Sequence, residues 1–173
     1  MEWLELVLYS VPALLVMGTA YLVLQQQGKQ QHEKVQLELR AQQGQHTLPI
    51  RLQAYERLAL FLERSEFNNL IPRIRDADMT ASELQYALIT AIRSEYEHNL
   101  TQQIYISANL WRSIAICKDE MIKTINLVAA TMKEDATGNE LSRALFQYVI
   151  DSEEPMPTQK VLAYLKQEAA QHF

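Results

Sequence analysis

Glu95 and His98 stand three residues apart, a spacing at which one helix face presents a carboxylate and an imidazole together. That pair is half of what a di-iron bundle uses. The full site needs a second Glu-x-x-His and two further inward glutamates. The other helical acid and histidine pair, Glu168 with His172, is spaced four apart at the C-terminus. The set is incomplete, so no metal and no cofactor is expected, and Glu95 and His98 are the only candidate ligands. Cys117 is the single cysteine and follows Ile116 on an apolar stretch, where a thiol packs as a small hydrophobe unless a histidine approaches it. Arg73 and Arg75 could grip a phosphate, but Asp76 and Asp78 beside them compensate their charge. Asn99-Leu100-Thr101 matches a glycosylation acceptor, which operates only in a secretory lumen. No glycine-rich phosphate loop occurs. No catalytic residue is therefore assigned, and the chain is not expected to be an enzyme.

The elements that would position these groups are helices. Four glycines and five prolines in 173 residues are too few for the turns of a sandwich or barrel, and the class read here is all-α. Charge sums to -5, from 16 basic and 21 acidic residues, which disfavours nucleic acid as a partner. Leu48, Leu52, Tyr55, Ala59 and Leu62 recur at helical spacing, with Leu58 and Phe61 widening the stripe. Phe67 to Met79 contains two asparagines, Pro72 and two aspartates, and reads as a break. Thr80 with Glu83 and Thr137 with Glu140 have the spacing of capping boxes, each opening a further helix. Between them Trp111, Ile114, Met121, Ile125, Val128 and Met132 mark one side of a helix expected from about Thr101 or Ser107 to Met132. Thr158 opens the last one. About five helices in residues 48–173 can enclose a core.

The N-terminus differs from the rest. Leu6 to Leu24 is a run of 19 residues with ten Leu or Val and no charge. As a helix it would be roughly 28 Å long, near the roughly 30 Å hydrocarbon thickness of a bilayer. Trp3, Tyr9 and Tyr21 lie near its ends, where interfacial aromatics belong. A cleaved signal peptide would need a basic n-region, and Glu2 and Glu5 stand there instead. Residues 1–28 are accordingly expected to form a transmembrane anchor that contacts lipid through residues 6–24. Lys29, Lys34 and Arg40 follow the span, so the N-terminus is expected outside and the remainder in the cytoplasm. Residues 29–47 read as a Gln-rich helical stalk, with a flexible polar linker as the competing reading. Past residue 28 the charge is graded. Residues 29–75 carry eight basic and five acidic groups, +3, and residues 76–173 carry eight and fourteen, -6.

The segments LPIRLQAYERLALFLERS (Leu48 to Ser65), Asn68-Asn69-Leu70, EYEHNLTQQIYIS (Glu95 to Ser107), ATGNELSRALF (Ala136 to Phe146) and PTQKVLAYLK (Pro157 to Lys166) resemble an uncharacterised family of short, singly anchored proteins from Bacteroidota. The resemblance spans nearly the whole chain. It implies this architecture and a bacterial inner-membrane location, with no activity and no catalytic residue to carry over. The function expected is a membrane-tethered helical interaction or scaffold module that meets a protein partner or copies of itself. The alternative is a helical-bundle enzyme or a small-ligand or metal-binding protein.

Overall fold

A computed structural model describes residues 48–171, together with Met17 and Gln25. Apart from those two residues, the expected transmembrane anchor and the Gln-rich stalk lie outside the described residues. Among the described residues no helix is long and apolar enough to cross a membrane. The chain divides into two units between Thr47 and Leu48, and only the second is described below.

That unit is all-α. Helix α1 runs through residues 48–65. It is followed by α2 (Phe67–Ile74), α3 (Ala81–His98), a short 3-10 helix (Leu100–Ile104), α4 (Ala108–Ala129), α5 (Gly138–Asp151) and α6 (Pro157–Ala169). Helix α4 lies at the centre, packed against α3, α5 and α6, while α2 rests on α3 and α5. Its apolar stripe of Leu110, Ile114, Met121 and Ile125 is fully enclosed. Leu84, Leu88 and Ile92 of α3, Leu141 and Leu145 of α5, and Leu58 and Leu62 of α1 surround it. Each such side chain contributes about 1.5–3 kcal/mol on leaving water.

Six α-helices replace the five expected. The additional one is α2, which occupies the first part of the segment read as a break. Asn68, Asn69 and Pro72 are poor helix formers, yet Phe67, Leu70 and Ile71 fall on one face and are buried. Burial of that face outweighs propensity. Pro72 lacks the N–H that would bond back to Asn68, and the helix ends two residues later with Arg75 already extended. Asn69 is not wasted, since its Nδ2 donates at 2.9 Å to the Glu63 carbonyl near the end of α1, which also accepts from the Glu66 N–H at 3.3 Å.

The stripe of α1 is also rotated from the expectation. Tyr55, Leu58, Phe61 and Leu62 are buried, whereas Leu48 and Leu52 are 40% and 42% exposed. At that turn Arg51 Nε donates to the Tyr105 carbonyl at 3.1 Å. The helix expected from about Thr101 or Ser107 begins at the later of the two: the stretch 100–104 is 3-10, and Ser107 caps α4 by accepting from Leu110 N at 3.1 Å.

Both capping boxes are present, with Thr80 and Thr137 as N-caps and Glu83 and Glu140 reaching back to their backbone N–H groups at 2.9 and 2.7 Å. Their proximity could not be read from spacing. Thr80 and Thr137 form an isolated antiparallel bridge, in which Ala81 N donates to Ala136 O at 2.8 Å and Gly138 N to Met79 O at 2.7 Å. Helices α3 and α5 thus start from one shared pair of backbone bonds. The closeness requires Gly138, because a Cβ there would lie 2.9 Å from the Met79 carbonyl oxygen. Gly138→Ala is therefore expected to destabilise by about 1–3 kcal/mol, measured by urea unfolding. The backbone hydrogen bonds from Thr80 and Thr137 hold the Glu83 and Glu140 carboxyls below their ordinary value of 4.5. Their contribution is present above that value and lost as pH falls through the folded one. Glu83→Gln with Glu140→Gln, which removes the titrating carboxyls, is expected to flatten the acid limb of the stability profile below about pH 4.5.

Candidate interaction surface

The residues singled out for chemistry are taken up by structural contacts. Glu95, near the end of α3, receives Arg64 of α1 at 2.9 Å and Arg73 of α2 at 3.3 Å. Arg73 also donates to the Arg64 carbonyl at 3.2 Å. Glu95 is thereby the tie among three helices, and His98 lies exposed in the last turn of α3. No group of three or more metal-ligating side chains occurs among the described residues. Arg75 turns the other way and donates to Asn139 Oδ1 at 2.6 Å, so the two arginines do not converge on one anion. Asp76 accepts from the Ala77 N–H at 2.8 Å. Asn99 is buried, with its amide donating to the Glu95 carbonyl at 2.8 Å. Cys117 is buried in the core of α4. Burial, with Glu120 adding to it, pushes its thiol up to about 12, so the thiolate a nucleophile requires is suppressed at neutral pH.

Trp111, expected in the core, sits at its edge, half-buried. It stacks on Tyr96 with centroids 5.2 Å apart, and Tyr96 meets Phe61 edge-on at 6.1 Å. The Lys118 ammonium lies 4.8 Å from the centre of the Tyr96 ring. These contacts couple α1, α3 and α4.

One polar cluster escaped sequence reasoning. Glu168 of α6 is only 7% exposed. It accepts from the Tyr55 hydroxyl at 3.0 Å and from the Ser107 N–H at 3.0 Å, and the Ser107 hydroxyl donates to its other oxygen. Ser107 is also the N-cap of α4, so a buried carboxylate stands at the positive end of that helix. Burial first, and then the Glu168 carboxylate, push the Tyr55 phenol above its ordinary value of 10.0, while Arg51 opposes the shift. The signal was a lone glutamate among apolar positions of an amphipathic helix. His172, its expected companion, lies outside the described residues.

The surface feature of another kind lies between α4 and α5. Leu127 and Val128 on α4 and Thr131 in the turn after it face Ala144, Gln147, Tyr148 and Asp151 on α5 across an open, mainly apolar hollow of about 530 Å³. A second hollow of about 290 Å³ shares Leu127 and Tyr148, and a third of about 500 Å³ shares Thr131. Leu127 and Tyr148 are 54% and 43% exposed. Both helices bury their opposite faces in the core, so this apolar strip is left to solvent.

A model of a family of unknown function, DUF7935, matches residues 1–172, and the chain belongs to that family. No curated protein and no solved structure matches it.

Replacing Glu95 and His98 together by Gln is expected to leave metal content at background and to cost about 1–2 kcal/mol, since the Glu95 carboxylate, 18% exposed, holds both Arg64 and Arg73. Stoichiometric metal in the wild type, lost in the variant, would contradict this. Because the Tyr55 value is raised, its stabilisation is complete below about pH 10 and is lost as pH rises through the folded value. Tyr55→Phe is expected to blunt base unfolding, followed by circular dichroism between about pH 9 and 12, with Tyr96, also raised by burial, supplying a residual slope.

Proposed function

We propose that the chain is a membrane-tethered helical interaction module. Residues 6–24 anchor it in a bacterial inner membrane, the N-terminus faces outward, and the bundle of residues 48–173 works in the cytoplasm. There it meets a protein partner or a further copy of itself. The observation that carries the interaction role is the hollow between α4 and α5, with Leu127 and Tyr148 exposed on helices whose other faces are already packed. The anchoring is supported by the uncharged run from Leu6 to Leu24, by the basic residues that follow it, and by the likeness to singly anchored proteins of Bacteroidota.

The orientation is tested by an alkaline phosphatase fusion at Phe173. The fusion is expected to be inactive in intact cells, and replacing Lys29, Lys34 and Arg40 by Gln is expected to weaken the preference. Phosphatase activity from the unaltered fusion would overturn the placement. The interaction role is tested by recovering proteins bound to the detergent-solubilised chain and repeating the capture with Leu127→Asp. Leu127 is half exposed, so the variant is expected to fold.

A further inference from the structure

The hollow between α4 and α5 is electrically asymmetric. Of its lining residues Asp151 alone is charged, and it is the last residue of α5. A helix C-terminus already presents unsatisfied carbonyls and a partial negative charge, which a carboxylate worsens and a cation relieves. The last turn of α5 holds no basic residue. Asp151 takes a hydrogen bond from the neutral Gln147 amide at 2.8 Å, and Glu153 and Glu154 follow it in sequence. Lys160 is drawn to Glu154. Lys123 lines the adjoining hollow together with Glu120. Along the two adjoining hollows three carboxylates (Glu120, Asp151, Glu154) stand against two ammonium groups (Lys123, Lys160), an excess of one negative charge.

An apolar floor that opens onto an uncompensated acidic helix end fits a partner helix with matching chemistry: apolar anchors one turn apart, then a cation. We propose that this groove receives an amphipathic helix of another protein, which seats an apolar side chain between Leu127 and Tyr148 and brings a lysine or arginine to Asp151 at the end of α5. The inference rests on the interaction role and names the partner's chemistry. A second copy docking through the same face would bring another acid-ended helix, and an anionic lipid surface would be repelled.

The test uses the full-length protein in nanodiscs of zwitterionic lipid, with a fluorescent leucine–lysine amphipathic peptide as probe and its leucine–glutamate counterpart as control. The lysine peptide is expected to bind, and the glutamate peptide to bind about tenfold or more weakly. Asp151→Lys, which favours the helix end and so preserves the fold, is expected to weaken the lysine peptide and strengthen the glutamate peptide. Leu127→Asp is expected to weaken both. Equal binding of the two peptides, or indifference to Asp151→Lys, overturns the proposal. So does self-association of the wild type that Leu127→Asp abolishes. A captured partner whose binding survives both substitutions overturns this docking site and leaves the interaction role standing.

Discussion

Glu168 is the carboxylate on which the arrangement of the outer helices depends. A charge removed from water must recover its solvation from protein donors, or the fold loses more than the burial gains. Glu168 recovers it from two elements at once: the Tyr55 hydroxyl on α1, and the backbone and side chain of Ser107 at the start of α4. Apolar packing tolerates small sliding of one helix on another, whereas these donors can be reached in one register only. Arg51, one turn before Tyr55, fixes the same end of α1 to the Tyr105 carbonyl. The first and last helices of the bundle are thus placed against α4 by polar geometry, and the leucine and isoleucine core fills the space so defined.

The remaining helices are set by backbone contacts. The bridge between Thr80 and Thr137 starts α3 and α5 side by side, and Gly138 allows the approach. Glu83 and Glu140 are consumed in closing their own capping boxes, which leaves them unavailable as ligands. Glu95 is likewise spent between Arg64 and Arg73. The ionisable groups that invite a chemical reading are those that hold helices together. The apolar strip between α4 and α5 performs no such task, and that contrast directs the functional reading to a surface.

Much of this architecture was legible locally. The two capping boxes were readable because the N-cap and its glutamate are three residues apart, and the stripe of α4 because it is long and regular. What escaped depends on partners distant in sequence. Helix α2 was hidden by Pro72 and two asparagines, since only the burial of Phe67, Leu70 and Ile71 reveals why it forms. Leu48 and Leu52 fit the helical period of the core but are exposed, on the turn where Arg51 Nε donates to the Tyr105 carbonyl. The cluster at Glu168 joins residues 113 and 61 positions apart, beyond any spacing argument. Glu95 and His98 have a ligand-like spacing, yet the guanidinium groups that claim Glu95 come from other helices. The hollow was invisible for the converse reason, because Leu127 and Tyr148 look like any apolar residues until a neighbour fails to cover them.

The most direct measurement is a double-mutant cycle between Tyr55→Phe and Glu168→Gln in the full-length chain, with stability read from urea unfolding. If Glu168 orders α1 through the Tyr55 hydroxyl, the two substitutions share one interaction. Their effects should then couple by about 1–3 kcal/mol. Effects that add within about 0.3–0.5 kcal/mol would contradict that coupling and show that the register of α1 is set without the Tyr55–Glu168 bond.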